Sequence, residues 1–67
     1  RAAAARRHHD WLRQQVGTIT DILVERPGTR GHSPGFAEVR LPPCPPGTIV
    51  TVRLTQLEGD QLIGMPL

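Results

Sequence analysis

The sequence has no lysine and no tyrosine, and it has only one cysteine, one phenylalanine and one tryptophan. The single thiol, Cys44, cannot form an internal disulfide, and it fits a reducing, cytosolic setting. A zinc site would need several Cys or His ligands. No apolar run approaches the ~18 residues of a membrane-spanning helix. These shortages exclude a disulfide scaffold, a zinc finger and a membrane span.

At 67 residues the chain is one small domain at most. A core of this size rarely contributes more than ~3–5 kcal/mol unless it is stapled, and with so few aromatics it must be built from Val, Ile and Leu. The chain is too small for a self-contained enzyme with a deep pocket. Because it starts at Arg1 rather than at Met, we expect it to be a piece of a longer protein.

All eight basic residues are arginines, and their distribution is uneven. Four of them lie in residues 1–16, opposed only by Asp10. The other four lie between positions 26 and 53, where Glu38 is the only acid, so the sequence predicts a basic band between acidic ends. Arginine without lysine favours bidentate phosphate recognition and stacking on bases. A solvated, salt-balanced surface is the alternative.

Residues 1–16 are predicted to form a linker helix from an upstream domain. Strong helix formers fill this segment, and Gly17 suits the position just past a helix end. A single stripe follows helical spacing, formed by Ala4, His8, Trp11, Leu12, Gln15 and Val16. We expect Trp11 and Leu12 to be covered either by the rest of this chain or by a missing domain.

Residues 17–67 are predicted to form a mostly β domain. Period-two alternation predicts strands over 18–25, 36–41, 48–57 and 61–65, with an ambiguous piece at 30–33. The members of one face are Thr20, Ile22 and Val24, then Ala37, Val39 and Leu41, then Val50, Val52 and Leu54, the last three expected in the core. Four to five short strands without an intervening helix favour a small OB-like antiparallel barrel over a sandwich, since closure removes exposed edges.

The chain offers no set of residues for catalysis. His8 and His9 are adjacent on the predicted helix, so they point in different directions and cannot chelate one metal as an i, i+4 pair would. Cys44 is flanked by prolines with no base nearby. Glu58 and Asp60 flank a turn glycine and are most simply turn residues. We therefore expect this chain to bind no metal and to catalyse no reaction.

A binding face is the remaining possibility. Alternation places Phe36 beside Glu38 and Arg40 on the polar side of a strand, which resembles a base-stacking platform edged with phosphate contacts. His32 lies in a predicted loop, where a lone histidine is more often structural or solvated. The alternative for Phe36 is that it caps one end of the core. The candidate RNA-binding residues are Arg26, Arg30, His32, Phe36, Arg40 and, as an extension of the band, Arg53.

Five segments in order carry a resemblance to a known family: ILVER at 22–26, GHSPGFAEV at 31–39, PGTIV at 46–50, VRLT at 52–55 and LIG at 62–64. Together they resemble a TRAM domain. They are most similar to the C-terminal TRAM domain of the tRNA threonylcarbamoyladenosine methylthiotransferases, which belong to the radical-SAM methylthiotransferase family. The resemblance covers residues 17–67, and residues 1–16 look like the helix that links the radical-SAM domain to the TRAM domain.

The resemblance implies a cytoplasmic, five-stranded OB-like barrel that binds tRNA. In such enzymes it helps to hold the anticodon arm while the radical-SAM core inserts sulfur into the modified adenosine and then methylates it. The parent enzyme would use iron–sulfur clusters and S-adenosylmethionine. A cluster needs a Cys-x-x-x-Cys-x-x-Cys motif, which Cys44 alone cannot supply. The implied partners are the tRNA anticodon arm and the enzyme's own radical-SAM domain, with no membrane.

A second hypothesis is a small barrel that serves in intrachain docking or protein–protein contact, with Trp11 and Leu12 facing a partner. Salt separates the two hypotheses, because binding driven by phosphate contacts weakens steeply with added salt and apolar docking does not. In the RNA-binding case we expect the acids at Glu25, Glu58 and Asp60 to repel RNA from the rest of the surface and so to orient it.

Overall fold

The computed structural model describes residues 2–67, apart from the side chain of Ala2. It contains one helix and five strands: α1 (Ala2–Gln15), β1 (Ile19–Glu25), β2 (Arg30–His32), β3 (Glu38–Arg40), β4 (Ile49–Glu58) and β5 (Gln61–Pro66). The strands form a closed barrel in the order β1-β2-β3-β5-β4. This confirms the predicted fold class, a small OB-like barrel preceded by a helix. Arg1 of the predicted helix lies outside the described residues.

One strand pairing differs from a purely antiparallel barrel. Strands β3 and β5 pair in parallel, and the other four pairings are antiparallel. The reason is topological. Because β4 pairs antiparallel with β1 and β5 returns antiparallel to β4, β5 must run in the same direction as β1 and β3. The proline-rich connector between β3 and β4 carries the chain across the barrel so that β4 can reach β1.

The core is aliphatic, as the composition requires. Its buried side chains are Leu12, Ile22, Val24, Ala37, Val39, Leu41, Val52, Leu54 and Leu62. Alternation placed seven of these on one face of their strands, and it also placed Thr20 and Val50 there. Both of the latter are only half-buried, and Val50 packs against the edge of the core.

Two local features depart from simple alternation. Strand β4 contains a bulge between Leu54 and Gln56, after which Leu57 rather than Gln56 turns towards the core. A bulge inserts one residue and therefore flips the faces beyond it. The ambiguous piece at 30–33 contains a true strand, β2, which passes very close to β1. A Cβ at Gly31 would overlap the Leu23 carbonyl oxygen, so only glycine fits here.

Helix α1 packs on the barrel and contributes to its core. Leu12 is fully buried, and the indole of Trp11 lies against Gly35, where an added Cβ would come within 3.1 Å of the ring. Directly after the helix, the backbone is hydrogen-bonded to β4: the Gly17 amide donates to the Leu54 carbonyl at 2.7 Å. Of the two alternatives for covering this part of the helix, the structure shows the first: the rest of this chain covers Leu12, and Trp11 packs partly against the same core.

The burial of Leu54 predicts a large cost on truncation. Leu54→Ala is expected to lower the free energy of unfolding by ~2–5 kcal/mol, because a fully buried side chain leaves a cavity. Leu23→Ala is the matched control, since the same atoms are removed from a half-exposed side chain, and we expect about 1 kcal/mol there. Urea unfolding measures both values. Equal losses would show that the β4 register is wrong.

The packing of α1 predicts that the helix and barrel unfold together. Leu12→Ala is expected to cost ~2–5 kcal/mol for the same reason as Leu54→Ala, whereas Arg13→Ala on the exposed side should change stability by less than about 0.5 kcal/mol. Far-UV circular dichroism and barrel amide exchange should report one shared transition. If Leu12→Ala melted the helix and left the barrel midpoint unchanged, the helix would not be part of this core.

Candidate nucleic-acid interface

A groove of about 550 Å³ runs over the outer surface of β1, β2 and β4. Its lining includes Asp21, Leu23, Glu25, His32, Phe36 and Ile49, with residues 33 and 34 of the loop after β2. Two of the sequence-predicted site residues, His32 and Phe36, therefore line the same groove. The four predicted arginines do not line it.

Strand register explains the apolar floor of the groove. Leu23 lies opposite His32 of β2 on one side and opposite Ile49 of β4 on the other. All three point outwards. Successive residues of a strand alternate between its two faces, and the immediate neighbours of Leu23 and Ile49, namely Ile22, Val24 and Val50, pack in or against the core. Leu23 remains 50% exposed and Ile49 70% exposed. The sequence analysis did not single out this patch, although the alternation that puts Ile22 and Val24 on one face of β1 puts Leu23 on the other.

His32 lies on strand β2 and not in a loop as predicted. Its Nδ1 atom is 3.0 Å from Oε2 of Glu25, and both side chains are partly exposed. The contact crosses the β1–β2 ladder, where Leu23 pairs with His32 and Glu25 pairs with Arg30. The carboxylate thus orients the imidazole at the edge of the groove.

Phe36 is the most exposed large apolar side chain of the described residues, at 82%. This excludes the alternative that it caps the core. It also precedes β3, so strand alternation does not set its direction. Its φ of 65° lies in the left-handed region, which is unusual for a bulky residue and costs about 1–3 kcal/mol.

Three hydrogen bonds hold the loop that carries Phe36 in this conformation. The Phe36 amide donates to the Ser33 carbonyl at 2.8 Å, and the Ala37 amide donates to the Ser33 hydroxyl at 3.1 Å. The Ser33 amide in turn donates to the Ala37 carbonyl at 3.0 Å. A strained residue persists where its surroundings over-determine it, and such sites concentrate at ligand-binding positions.

The arginines form two separate groups. Arg30 pairs across the ladder with Arg40, and Arg26 lies in the turn that leads into β2. Arg53 lies on β4 opposite Ile19 and Met65, away from the other three. Within residues 2–67, only Arg40 among these four makes an ion pair, with Glu58 at 2.6 Å. Exposed pairs of this kind contribute about 0–1 kcal/mol.

The sequence predicts a basic band between acidic ends, but the structure places acidic side chains beside the band. Glu58 reaches Arg40 because barrel closure brings the β4–β5 turn next to β3. Glu25 lines the groove, and Asp21 lines it as well. Asp21 was not among the predicted site residues. Its place on the outer face of β1, two residues from Leu23 and four from Glu25, is the signal that could have found it.

Across residues 2–67, the structure has no group of three or more His, Cys, Asp or Glu side chains placed to hold a metal ion. The same residues contain no helix with the length and apolar character needed to cross a bilayer. No protein-family model matches the chain, and no curated protein or solved structure matches it significantly.

The strained, exposed state of Phe36 predicts that its ring does not stabilise the fold. Phe36→Gly is expected to keep the free energy of unfolding within about 0.5 kcal/mol or to raise it by up to about 1 kcal/mol, because glycine adopts this φ without strain. Phe36→Ala is the control that removes the ring and keeps the Cβ. Urea unfolding compares them. A loss above about 1 kcal/mol in Phe36→Gly would mean that the ring packs on the protein.

Proposed function

We propose that this chain is a tRNA-binding domain of a tRNA-modifying enzyme. In this proposal it is the C-terminal TRAM domain of a radical-SAM methylthiotransferase, and it positions the anticodon arm for the upstream catalytic core. The core would carry the iron–sulfur clusters and use S-adenosylmethionine in the cytoplasm. The chain itself would recognise RNA and carry out no chemistry.

The observation that carries the proposal is the presentation of Phe36. Its ring is exposed on the rim of a groove, on a loop held by three hydrogen bonds in a strained conformation. An exposed aromatic ring on a rigid loop is a stacking platform for an unpaired base, worth about 1–3 kcal/mol per base. The barrel type supports the arginines of this surface, because OB folds bind oligonucleotides on the face of strands 2 and 3 and on the loop between strands 1 and 2, where Arg30, Arg40 and Arg26 lie here.

The arginines supply the complementary phosphate contacts. Arg30 lies on the outer face of β2, and Arg26 lies in the β1–β2 turn next to it. Neither forms an ion pair within residues 2–67, so both guanidinium groups are available to phosphate oxygens. Arg40 is a weaker contributor, because RNA would have to compete with Glu58. Arg53 belongs to this surface only if RNA extends across β4.

A protein-docking role is the second candidate, and the groove floor favours it. Leu23 and Ile49 present exposed apolar surface between two carboxylates. Such a surface fits an apolar segment with a neighbouring cation, for example one from the enzyme's radical-SAM domain. With Leu12 buried, this docking surface would be the groove and not the helix stripe.

An NMR titration with an anticodon stem-loop tests the proposal. We expect weak binding at low salt, with shifts gathered at Arg26, Arg30, Phe36 and Arg40 that fade as salt is added. Arg30→Gln should weaken binding and reduce the slope of log K against log salt by about 1. Arg13→Gln on the outer side of α1 removes the same charge and should change neither quantity.

Two outcomes would contradict the RNA-binding role. One is the absence of any shift even at low salt. The other is a set of shifts confined to Trp11 and helix α1. Salt-insensitive binding of the radical-SAM domain to the groove would favour the docking role.

A further inference from the structure

The groove is acidic as well as apolar, and this distinguishes what can enter it from what binds beside it. Asp21 and Glu25 line the groove, whereas Arg26 and Arg30 lie outside its lining. A phosphate placed in the groove would face two carboxylates and would be repelled. An uncharged base would not be repelled, and its hydrogen-bond donors would find acceptors there. The charges therefore separate a site for a base from a site for the backbone.

Asp21 is the carboxylate on the Phe36 side of the groove. Strands β1 and β2 are antiparallel and pair Leu23 with His32, so the chain that leaves His32 towards Phe36 runs back along β1 in the direction of Asp21. Glu25 lies at the other end, in contact with His32. A base stacked on Phe36 therefore has Asp21 as the nearer of the two carboxylates.

Thr51 holds Asp21 in place. The two residues face each other across the β1–β4 ladder, and the Thr51 hydroxyl donates to Asp21 Oδ1 at 2.6 Å. The bond fixes the orientation of the carboxylate. Within residues 2–67 no side chain donates to Oδ2, and a carboxylate oxygen has more than one acceptor site. Asp21 is thus oriented and retains acceptor capacity towards the groove.

We infer that, within the proposed RNA-binding function, the groove receives one unpaired base against Phe36 and that Asp21 selects guanine. Only guanine presents two adjacent donors, N1–H and N2–H2, on its Watson–Crick edge, and a carboxylate can accept both. Adenine and cytosine present one donor beside a ring acceptor that a carboxylate repels. Uracil presents its N3–H between two carbonyl oxygens. Thr51 acts as a positioning residue for this contact.

Four pentanucleotide RNAs of sequence UUXUU, with X as each base in turn, test the inference by fluorescence anisotropy at low salt. The natural chain should bind the guanine RNA at least about five-fold more tightly than the others, as a bidentate base contact implies. Asp21→Asn should reduce this preference to less than about two-fold, because the amide offers one acceptor and one donor. Thr51→Val should lower the preference partially and leave binding of the uracil RNA unchanged.

Asp60→Asn is the matched control, because it removes the same charge at the β4–β5 turn and should keep the preference for guanine. Equal binding of all four RNAs, with Arg30→Gln still weakening each of them, would overturn guanine selection and leave the RNA-binding function intact. Failure of all four RNAs and of the anticodon stem-loop would overturn both. Groove shifts with a leucine–arginine peptide, and with none of the RNAs, would assign the groove to protein docking and overturn the inference.

Discussion

Closure of the barrel through the parallel pairing of β3 with β5 is the constraint on which the other features depend. The pairing consists of only two residue pairs, Val39 with Leu62 and Arg40 with Ile63. Val39 and Leu62 are both fully buried, so the junction lies over the core. Next to it, a Cβ on Gly64 would come within 2.9 Å of Val39 and 3.0 Å of Val52. The absence of a side chain at Gly64 therefore lets β3 and β5 approach closely enough to pair.

Closure also determines the electrostatics of the surface. It brings the turn after β4 beside β3, where Glu58 neutralises Arg40, and it leaves Arg30 beside Arg40 without a carboxylate of its own. On the β1 side of β2, the Glu25 carboxylate contacts the His32 imidazole, so each of these two side chains already has a partner. Around the β1–β2 turn this leaves Arg26 and Arg30 without an ion pair. Because the net charge is small, the arrangement of the charges, and not their sum, must orient a charged ligand on this domain.

The fold followed from the sequence where local periodicity decided the outcome. Alternation identified Ile22, Val39 and Leu54 as buried, because a strand with one face on the core has few other options. It failed where a non-local or strained feature intervened. The bulge in β4 moved Leu57 inwards, and the left-handed conformation of Phe36 removed that residue from its expected strand.

The candidate site was predictable only in part for the same reason. Arg30, His32 and Phe36 stood out as residue types, whereas the groove that joins Phe36 to Asp21 and Ile49 is created by the pairing of three strands. The Arg40–Glu58 contact joins residues 18 positions apart, and nothing local indicates it. Pairing between distant strands is set by the whole chain, so residue types could mark candidates but could not show which of them meet.

The contact between Trp11 and Gly35 gives the molecule an optical reporter of its own. With one tryptophan and no tyrosine, its near-ultraviolet emission on selective excitation comes from a single indole. That indole is half-buried and touches the residue directly before Phe36. Emission wavelength and quenching therefore follow the packing of the loop that carries Phe36 without any attached dye. The tryptophan of helix α1 thus makes the conformation of the Phe36 loop visible by spectroscopy.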